Sequence, residues 1–595
     1  MSIDPRVKSV PFASVKNVSD FPEEEEILFS MHTVFRVCVI KQTDNADQLY
    51  QVELQLTSDD DDQLRMLTNR IKEEISGYTG WQQLSSLLLK IGQFNKAEEL
   101  CKLLHGQTSN STERAFYYNQ LGLINWNQGD YEKTIWHYEQ GLEIWQRTLA
   151  SNHPNLPTSY NNIGTVYNNM GEYSKALSFY EKALEIQQKT LPSNHPDLAT
   201  SYNNIGEVYN KMGEYSKALS FSEKALEIRE KILPVNRPDL AISYNNTGGV
   251  YHNMGEYSKA LSSHEKALKI QQKTLPSNHP DLATSYNNIG AMFNNARQYS
   301  KALSFSEKAL EIREKILPVN HPDLATSYNN TGRVYLNKGE CSKALSSHGK
   351  ALKIQQKTLP SNHPDIATSH NNIGAVYNDM EEYSEALSSH EKALEIQQKT
   401  LPSNHPDLAI SYNNIGGVYH DMKEYRNALS FYEKALEIQQ KSLSSNHPDL
   451  ATSYNNIGGV YHNMGECSKA LSLFDRALEI QEKTLPSDHS DLATTYNNIG
   501  VVLYNTEECL KGLLFLEKAF KICEKFMPSN DTELVAFCNF VGEVYHDMGE
   551  HSKALLYYER ALKIWRLVLS PTHPYIKNLK QNFELVRQRI IKHVS

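Results

Sequence analysis

The sequence has 595 residues, of which 39% are hydrophobic and 22% are charged. This composition excludes a chain that is mostly disordered. No apolar run is long enough to span a bilayer, and the mean hydropathy of −0.55 agrees with that. A net charge of −10 argues against a protein that follows nucleic-acid phosphates. We therefore expect a soluble protein.

Cysteine usage and the start of the chain indicate the compartment. The seven cysteines are odd in number, scattered and without a Cys-x-x-Cys pair, so we predict neither a disulfide framework nor a zinc site. Residues Met1 to Arg6 lack the basic-then-apolar layout of a secretory signal. Both features favour a reducing compartment, and we expect a cytoplasmic protein.

The first predicted elements are strands. Residues 34–40 are apolar enough for a strand, and residues 50–57 alternate apolar and polar side chains, as a half-buried strand does. Asp59 to Asp62 then begin a predicted helix, because carboxylates in a first turn favour the positive end of the helix dipole. The N-terminal part is therefore predicted to be a short α+β segment.

An acidic run before these strands resembles part of a known enzyme family. The segment from Phe21 to Phe29, followed by residues 33–37, is similar to the closing strands of arginine-specific mono-ADP-ribosyltransferases, in which Glu-x-Glu precedes an apolar strand. The resemblance implies that Glu26 is the catalytic carboxylate, which stabilises the oxocarbenium-like ribose as nicotinamide leaves. It implies that Glu24 orients the acceptor guanidinium.

The same resemblance is incomplete. The family also needs an upstream arginine and a Ser-Thr-Ser strand to hold NAD, and the sequence does not contain them. We therefore expect a transferase fragment without catalysis of its own, with no cofactor unless a completed domain binds NAD. A solvated acidic loop is the alternative interpretation of the run.

Most of the chain is a repeat. A glycine recurs every 42 residues, at Gly122, Gly164, Gly206, Gly248, Gly290, Gly332, Gly374, Gly416, Gly458, Gly500 and Gly542. We number the repeats 1 to 11 by these glycines. A fixed period of this length predicts a solenoid, in which each unit buries its apolar face against the next one.

Each repeat is predicted to be a pair of helices. Two helical stripes follow one another in repeat 2: Tyr160, Ile163, Gly164 and Tyr167, then Ala176, Tyr180, Ala183 and Leu184. Pro192 and Pro196 separate this pair from the next, because proline cannot continue a helix but suits its first turn. We call the two helices of a repeat helix A and helix B.

These stripes resemble the tetratricopeptide repeat pattern, and the 42-residue spacing is similar to the long-looped repeats of kinesin light chains. The resemblance implies a mainly all-α chain: a right-handed superhelical solenoid preceded by a short α+β fragment. It implies five segments: a truncated ADP-ribosyltransferase-like β segment (1–58), a linker helix (59–79), a degenerate repeat (80–113), eleven repeats (114–573) and a C-terminal capping helix (574–595). No kinesin-light-chain heptad region precedes the array, so motor association is not implied.

An asparagine stands three residues before every repeat glycine, and we call these residues the asparagine stripe. The resemblance implies that this position lines the concave wall, where amides could match the alternating donors and acceptors of an extended peptide. The residues predicted to contact a peptide are Asn161, Asn203, Asn245, Asn287, Asn329, Asn371, Asn413, Asn455 and Asn497. A structural role, such as a bridge to the neighbouring helix, stays open. The next residue in the chain, Asn162 and its equivalents, is predicted to join repeats; we call these the second asparagines.

A histidine stands in the loop before most repeats. One imidazole per repeat cannot bring two nitrogens to about 2 Å from one metal when helices pack about 8–10 Å apart. We therefore predict a structural role for these histidines and no metal site.

The sequence predicts a protein–protein interaction scaffold that binds an extended peptide segment on the concave face of the array. Its partner is expected to be a protein or peptide, not nucleic acid or a membrane. The alternative is an NAD-dependent arginine mono-ADP-ribosyltransferase, truncated here, whose repeat array recruits protein targets.

Overall fold

The structure is a computed structural model. It describes residues 12–14, 27–29, 35–42, 50–56, 80–90, 94–150, 153, 155–232, 238–317, 319–526, 532–568 and 574–594. The chain divides into two compact units, Met1–Gln107 and Thr108–Ser595. Among the described residues, none of the helices combines the length and apolar character needed to cross a membrane.

The first unit contains four strands and two helices. Strand β1 (Phe12–Ser14) pairs antiparallel with β2 (Ile27–Phe29), and β3 (Phe35–Gln42) pairs antiparallel with β4 (Tyr50–Leu56). The strands predicted at 34–40 and 50–57 are thus confirmed. The predicted linker helix at 59–79 lies outside the described residues. Helices α1 (Gly80–Lys90) and α2 (Phe94–Gln107) pack together as a pair.

All regular secondary structure among the described residues of the second unit is helical, and each of the eleven repeats is a helix pair. The A helices are α3 (Ser111–Asn127), α5 (Asn155–Asn169), α7 (Pro196–Lys211), α9 (Pro238–Asn253), α11 (Pro280–Asn295), α13 (Pro322–Asn337), α15 (Pro364–Asp379), α17 (Pro406–Asp421), α19 (Pro448–Asn463), α21 (Ser490–Asn505) and α23 (Thr532–Asp547). The B helices are α4 (Tyr131–Thr148), α6 (Tyr173–Thr190), α8 (Tyr215–Ile232), α10 (Tyr257–Thr274), α12 (Tyr299–Ile316), α14 (Cys341–Thr358), α16 (Tyr383–Thr400), α18 (Tyr425–Ser442), α20 (Cys467–Thr484), α22 (Cys509–Phe526) and α24 (His551–Val568). Helix α25 (Pro574–Val594) ends the array.

Small residues let the two helices of a repeat approach each other. A Cβ atom added to Gly164 would lie 2.8 Å from the ring of Tyr180. Ala176 and Ala183 are fully buried. From repeat 2 onward, each A helix packs on the B helix before it as well as on its own partner, which gives a solenoid-like array of tandem repeats.

The loop histidines start the A helices. In seven repeats the imidazole Nδ1 accepts a hydrogen bond, 3.1–3.2 Å long, from the backbone N–H of the aspartate two residues later. These histidines are His195, His279, His321, His363, His405, His447 and His489. Since the first N–H groups of a helix have no partner within it, this bond is an N-cap. The structural role predicted for the histidines is confirmed.

Repeats that are six apart also contact each other. In addition to its N-cap bond, His405 has Nε2 2.8 Å from the carbonyl oxygen of Asn169, and Nε2 of His447 lies 3.2 Å from that of Lys211. Nε2 of His489 lies 3.0 Å from the hydroxyl of Tyr257. The N-cap loop before repeats 8, 9 and 10 therefore rests on the end of helix A, or the start of helix B, in repeats 2, 3 and 4.

Candidate functional site

The asparagine stripe joins neighbouring repeats. In seven repeats its amide nitrogen, Nδ2, is 2.7–3.5 Å from the hydroxyl of a serine or threonine in helix A of the next repeat. The pairs are Asn161–Ser201, Asn203–Ser243, Asn245–Ser285, Asn329–Ser369, Asn371–Ser411, Asn413–Ser453 and Asn455–Thr495. The structural role that the sequence left open is thus present in these repeats.

The hydroxyl extends this bridge to helix B. Ser411 Oγ accepts from Asn371 and donates to Oε1 of Gln397 at 2.6 Å, and the same arrangement recurs in other repeats. Where arginine replaces this glutamine, Nη1 of Arg229 donates to Ser243 Oγ at 2.7 Å. Where the bridge forms, three elements are therefore linked: both helices of one repeat and helix A of the next.

The amide oxygens of the stripe differ between repeats. In repeats 4, 6 and 7 the oxygen accepts from the imidazole Nδ1 of a histidine on helix B, at 2.9–3.0 Å, in the pairs Asn245–His264, Asn329–His348 and Asn371–His390. In five other predicted contact residues the buried oxygen has no partner among the described residues: Asn161, Asn203, Asn287, Asn413 and Asn455. A guest would therefore meet few free donors on the stripe itself.

Two of the second asparagines have side-chain amides that are free to bind a partner. Asn414 and Asn456 are half-buried, and within the described residues their side chains form no hydrogen bond. The role predicted for them, that of joining repeats, is instead performed by the stripe one residue earlier. The sequence alone did not show which of the two asparagines joins the repeats. They are the same residue type in adjacent positions, and only their direction differs, by about 100° around the helix.

A cleft crosses the A helices of repeats 7, 8 and 9. It has a volume of about 480 Å³ and is lined by asparagines from all three helices, among them Asn378, Asn413, Asn414 and Asn456. Gly417 lies at its floor and Ile410, which is 49% exposed, lies on its wall. The predicted contact residue Asn413 is thus in the cleft. Two second asparagines, for which the sequence predicted a role in joining repeats, lie there with it.

The other predicted site residues are not brought to this cleft. Glu24 and Glu26 lie outside the described residues. In the part of the chain that the structure describes, no group of three or more histidine, cysteine or acidic side chains could hold a metal ion. The cleft contains the predicted contact residue Asn413 and is the candidate site, and its amide groups are suited to binding.

The comparisons with known proteins agree with the helix-pair geometry. A family model described as tetratricopeptide repeat matches overlapping segments that together cover residues 113–357 and 365–566. The chain therefore belongs to the tetratricopeptide-repeat family. Among curated proteins, the search found no match.

Solved structures with similar folds include kinesin-light-chain-like repeats. The nearly identical TPR-like repeats of a kinesin light chain from Podosopora anserina are 28% identical, cover 35% of this chain and 97% of their own, and have a TM-score of 0.30. BtubC (BKLC) from P. vanneervenii is 23% identical, with 39% and 90% coverage and a TM-score of 0.32. A Rap protein complexed with Competence and Sporulation Factor is 15% identical, with 65% and 99% coverage and a TM-score of 0.44. At these TM-scores the neighbours carry no information about what this chain binds.

Proposed function

We propose that the chain is a protein-interaction scaffold that holds an extended peptide segment of its partner along the A helices. The observation that carries this proposal is the cleft across repeats 7, 8 and 9, where Asn414 and Asn456 offer amides without intramolecular hydrogen bonds. An amide has both donors and an acceptor, so it can pair with a peptide backbone largely independently of sequence. A cytoplasmic location is part of the proposal and rests on the scattered cysteines.

The stripe contributes to this proposal in two ways. Asn413 lines the cleft directly, whereas its amide nitrogen is 3.4 Å from Ser453 Oγ. Six other predicted stripe contacts join successive A helices through the same bridge. We propose that the stripe sets the spacing at which the second asparagines meet the peptide.

The proposal is tested by peptide-array capture with the full chain. We compare the double variant Asn414→Ala, Asn456→Ala with the unmodified chain. It should bind the peptides that the unmodified chain captures about tenfold more weakly, because two net hydrogen bonds are worth about 1–3 kcal/mol together. The control is Asn162→Ala with Asn204→Ala, the same substitution in repeats outside the cleft. Capture that is equal for both double variants would contradict the cleft as the binding site.

The transferase fragment is the second proposal. It is supported by the Glu24-x-Glu26 run and by strand β2, Ile27–Phe29, which directly follows that run. Calorimetric titration of the full chain with NAD tests it. Binding of NAD that Glu26→Gln alters would favour an enzyme, and no heat of binding would leave the scaffold as the function.

A further inference from the structure

The charged groups around the cleft are all acidic. Asp379 and Asp449 line it, whereas the lysines and arginines of the described residues do not. Burial raises the pKa of Asp379, and the negative charge of Asp421 raises it further. Asp421 itself accepts a hydrogen bond of 2.8 Å from Nδ2 of Asn378. Nδ1 of His420 lies 3.4 Å from Asp421, but within the described residues these carboxylates form no ion pair with a lysine or arginine, so a cation that enters the cleft stabilises them.

Uncharged acceptors in the cleft also have no donor. The amide oxygens of Asn378 and Asn413 are buried and have no partner among the described residues. The side chain of His390 is only 2% exposed, and its Nδ1 donates to Asn371 Oδ1 at 2.9 Å. Its Nε2 therefore carries a lone pair, and the ring lines the cleft. An acceptor without a donor favours a guest that is rich in N–H groups, and the two amide oxygens, which expose almost no surface, reach such a guest only when their side chains turn towards it.

The hydroxyl of a buried tyrosine at the floor supports the same conclusion. In repeat 2 the hydroxyl of Tyr180 is 3.0 Å from Thr165 Oγ1. In repeat 8 the equivalent tyrosine, Tyr432, is only 6% exposed, and glycine replaces the threonine at Gly417. Within the described residues the Tyr432 hydroxyl has no partner, and a Cβ atom added to Gly417 would lie 3.7 Å from it. The hydroxyl is therefore directed into the cleft.

We propose that this cleft binds the side chain of a lysine or arginine in the peptide segment of the partner. Its ammonium or guanidinium group meets Asp379 and the Tyr432 hydroxyl, and its alkyl stem lies along Ile410. The neighbouring amides of Asn414 and Asn456 then hold the backbone on either side, which is why the guest is a peptide and not a free cation. The inference rests on the proposed function and adds the chemistry of one peptide position.

The test compares charged and neutral probes. Acetylated decapeptides of serine and asparagine with one central arginine are titrated into the full chain, and the same peptides with citrulline, a neutral isostere, serve as the reference. We expect the arginine peptides to bind about tenfold more tightly, because hydrogen bonds to charged groups are the stronger ones. The preference should shrink as salt is added.

Two variants test whether the preference for arginine over citrulline arises in the cleft. Asp379→Asn removes the charge and introduces the residue that seven other repeats carry, at Asn127, Asn169, Asn253, Asn295, Asn337, Asn463 and Asn505. Gly417→Thr copies the Thr165–Tyr180 pair of repeat 2, which gives the Tyr432 hydroxyl a partner and fills the floor. Both variants should bind arginine and citrulline peptides equally. Gly249→Thr is the control, since an added Cβ there meets no heavy atom within 4 Å.

The outcomes separate the inference from the proposed function. Equal binding of arginine and citrulline peptides by the unmodified chain overturns the inference and leaves the scaffold in place. An arginine preference that survives both Asp379→Asn and Gly417→Thr also overturns it, because the cation then binds elsewhere. Failure of every peptide to bind overturns the inference and the proposed function together.

Discussion

The imidazole Nε2 of His405 lies 2.8 Å from the carbonyl oxygen of Asn169, a residue 236 positions earlier in the chain. Because Nδ1 of the same ring accepts the N–H of Asp407 at 3.1 Å, Nε2 carries the hydrogen and donates it. One side chain thus caps the helix that begins repeat 8 and closes the end of helix A in repeat 2.

A glycine in the turn of repeat 2 lies close to the loop that carries His405. Gly171 has a φ of +70°, and a Cβ atom added to it would lie 2.8 Å from Cδ of Pro406. At the equivalent position of later repeats, Arg297 and Lys423 adopt positive φ without glycine. Gly339, which also has positive φ, has no heavy atom within 4 Å of its added Cβ. Positive φ alone therefore does not require glycine here, but the close approach of another loop does.

The first prediction concerns the contacts between distant repeats. His405→Asn with His447→Asn keeps good N-cap residues but removes the nitrogen that reaches Asn169 and Lys211. We expect faster amide hydrogen exchange at residues 169–172 and 211–214, since these segments lose a covering loop. His195→Asn is the control, because no repeat stands six units before it. Unchanged exchange in the double variant would show that the distant contacts add nothing.

The second prediction separates the two asparagines of each repeat. Replacing Asn245, Asn329 and Asn371 by alanine removes two hydrogen bonds at each site, at a cost of about 1–3 kcal/mol per residue. The thermal unfolding midpoint should therefore fall. Replacing the adjacent second asparagines, Asn246, Asn330 and Asn372, should change stability by less than about 0.5 kcal/mol each. Equal effects of the two triple variants would contradict the assignment of the bridges.

The third prediction is a pH dependence. Burial lowers the pKa of His264, His348 and His390 to about 4, from an ordinary value of 6.5. Between these values the unfolded chain binds protons that the folded chain does not, so stability falls as pH drops from about 6.5 towards 4. Urea unfolding midpoints measured across this range should show the slope.

A matched variant tests the origin of that slope. Repeat 9 carries Phe474 at the position of these histidines, and the amide oxygen of its stripe residue, Asn455, has no partner among the described residues. Replacing all three histidines by phenylalanine should therefore be tolerated and should flatten the pH dependence. A slope that stays the same would assign it to other groups, such as the buried N-cap histidines His363 and His447, whose pKa values burial also lowers.

The fourth prediction uses two adjacent glycines of opposite role. A Cβ atom added to Gly458 would lie 2.6 Å from the ring of Phe474, whereas one added to Gly459 meets no heavy atom within 4 Å. Gly458→Ala should destabilise the array by about 1–3 kcal/mol, as overpacking does. Gly459→Ala should stabilise it by about 0.5–1 kcal/mol, because alanine is the better helix former. Chemical denaturation of the two variants, compared with the unmodified chain, measures both signs.

The amino-acid sequence by itself determined the repeat length, the two helices of each repeat and the histidine–proline starts of the A helices. These features are local: they follow from apolar spacing, from the φ angle of proline and from a cap that reaches two residues along the chain. Only the tertiary structure decided which of two neighbouring asparagines bridges the repeats, that Tyr432 lacks a partner above Gly417, and that His405 reaches Asn169. The first two depend on which atoms meet where packed helices touch, and the third depends on the small rotation between successive repeats, which accumulates over six units; none of them leaves a local pattern in the sequence.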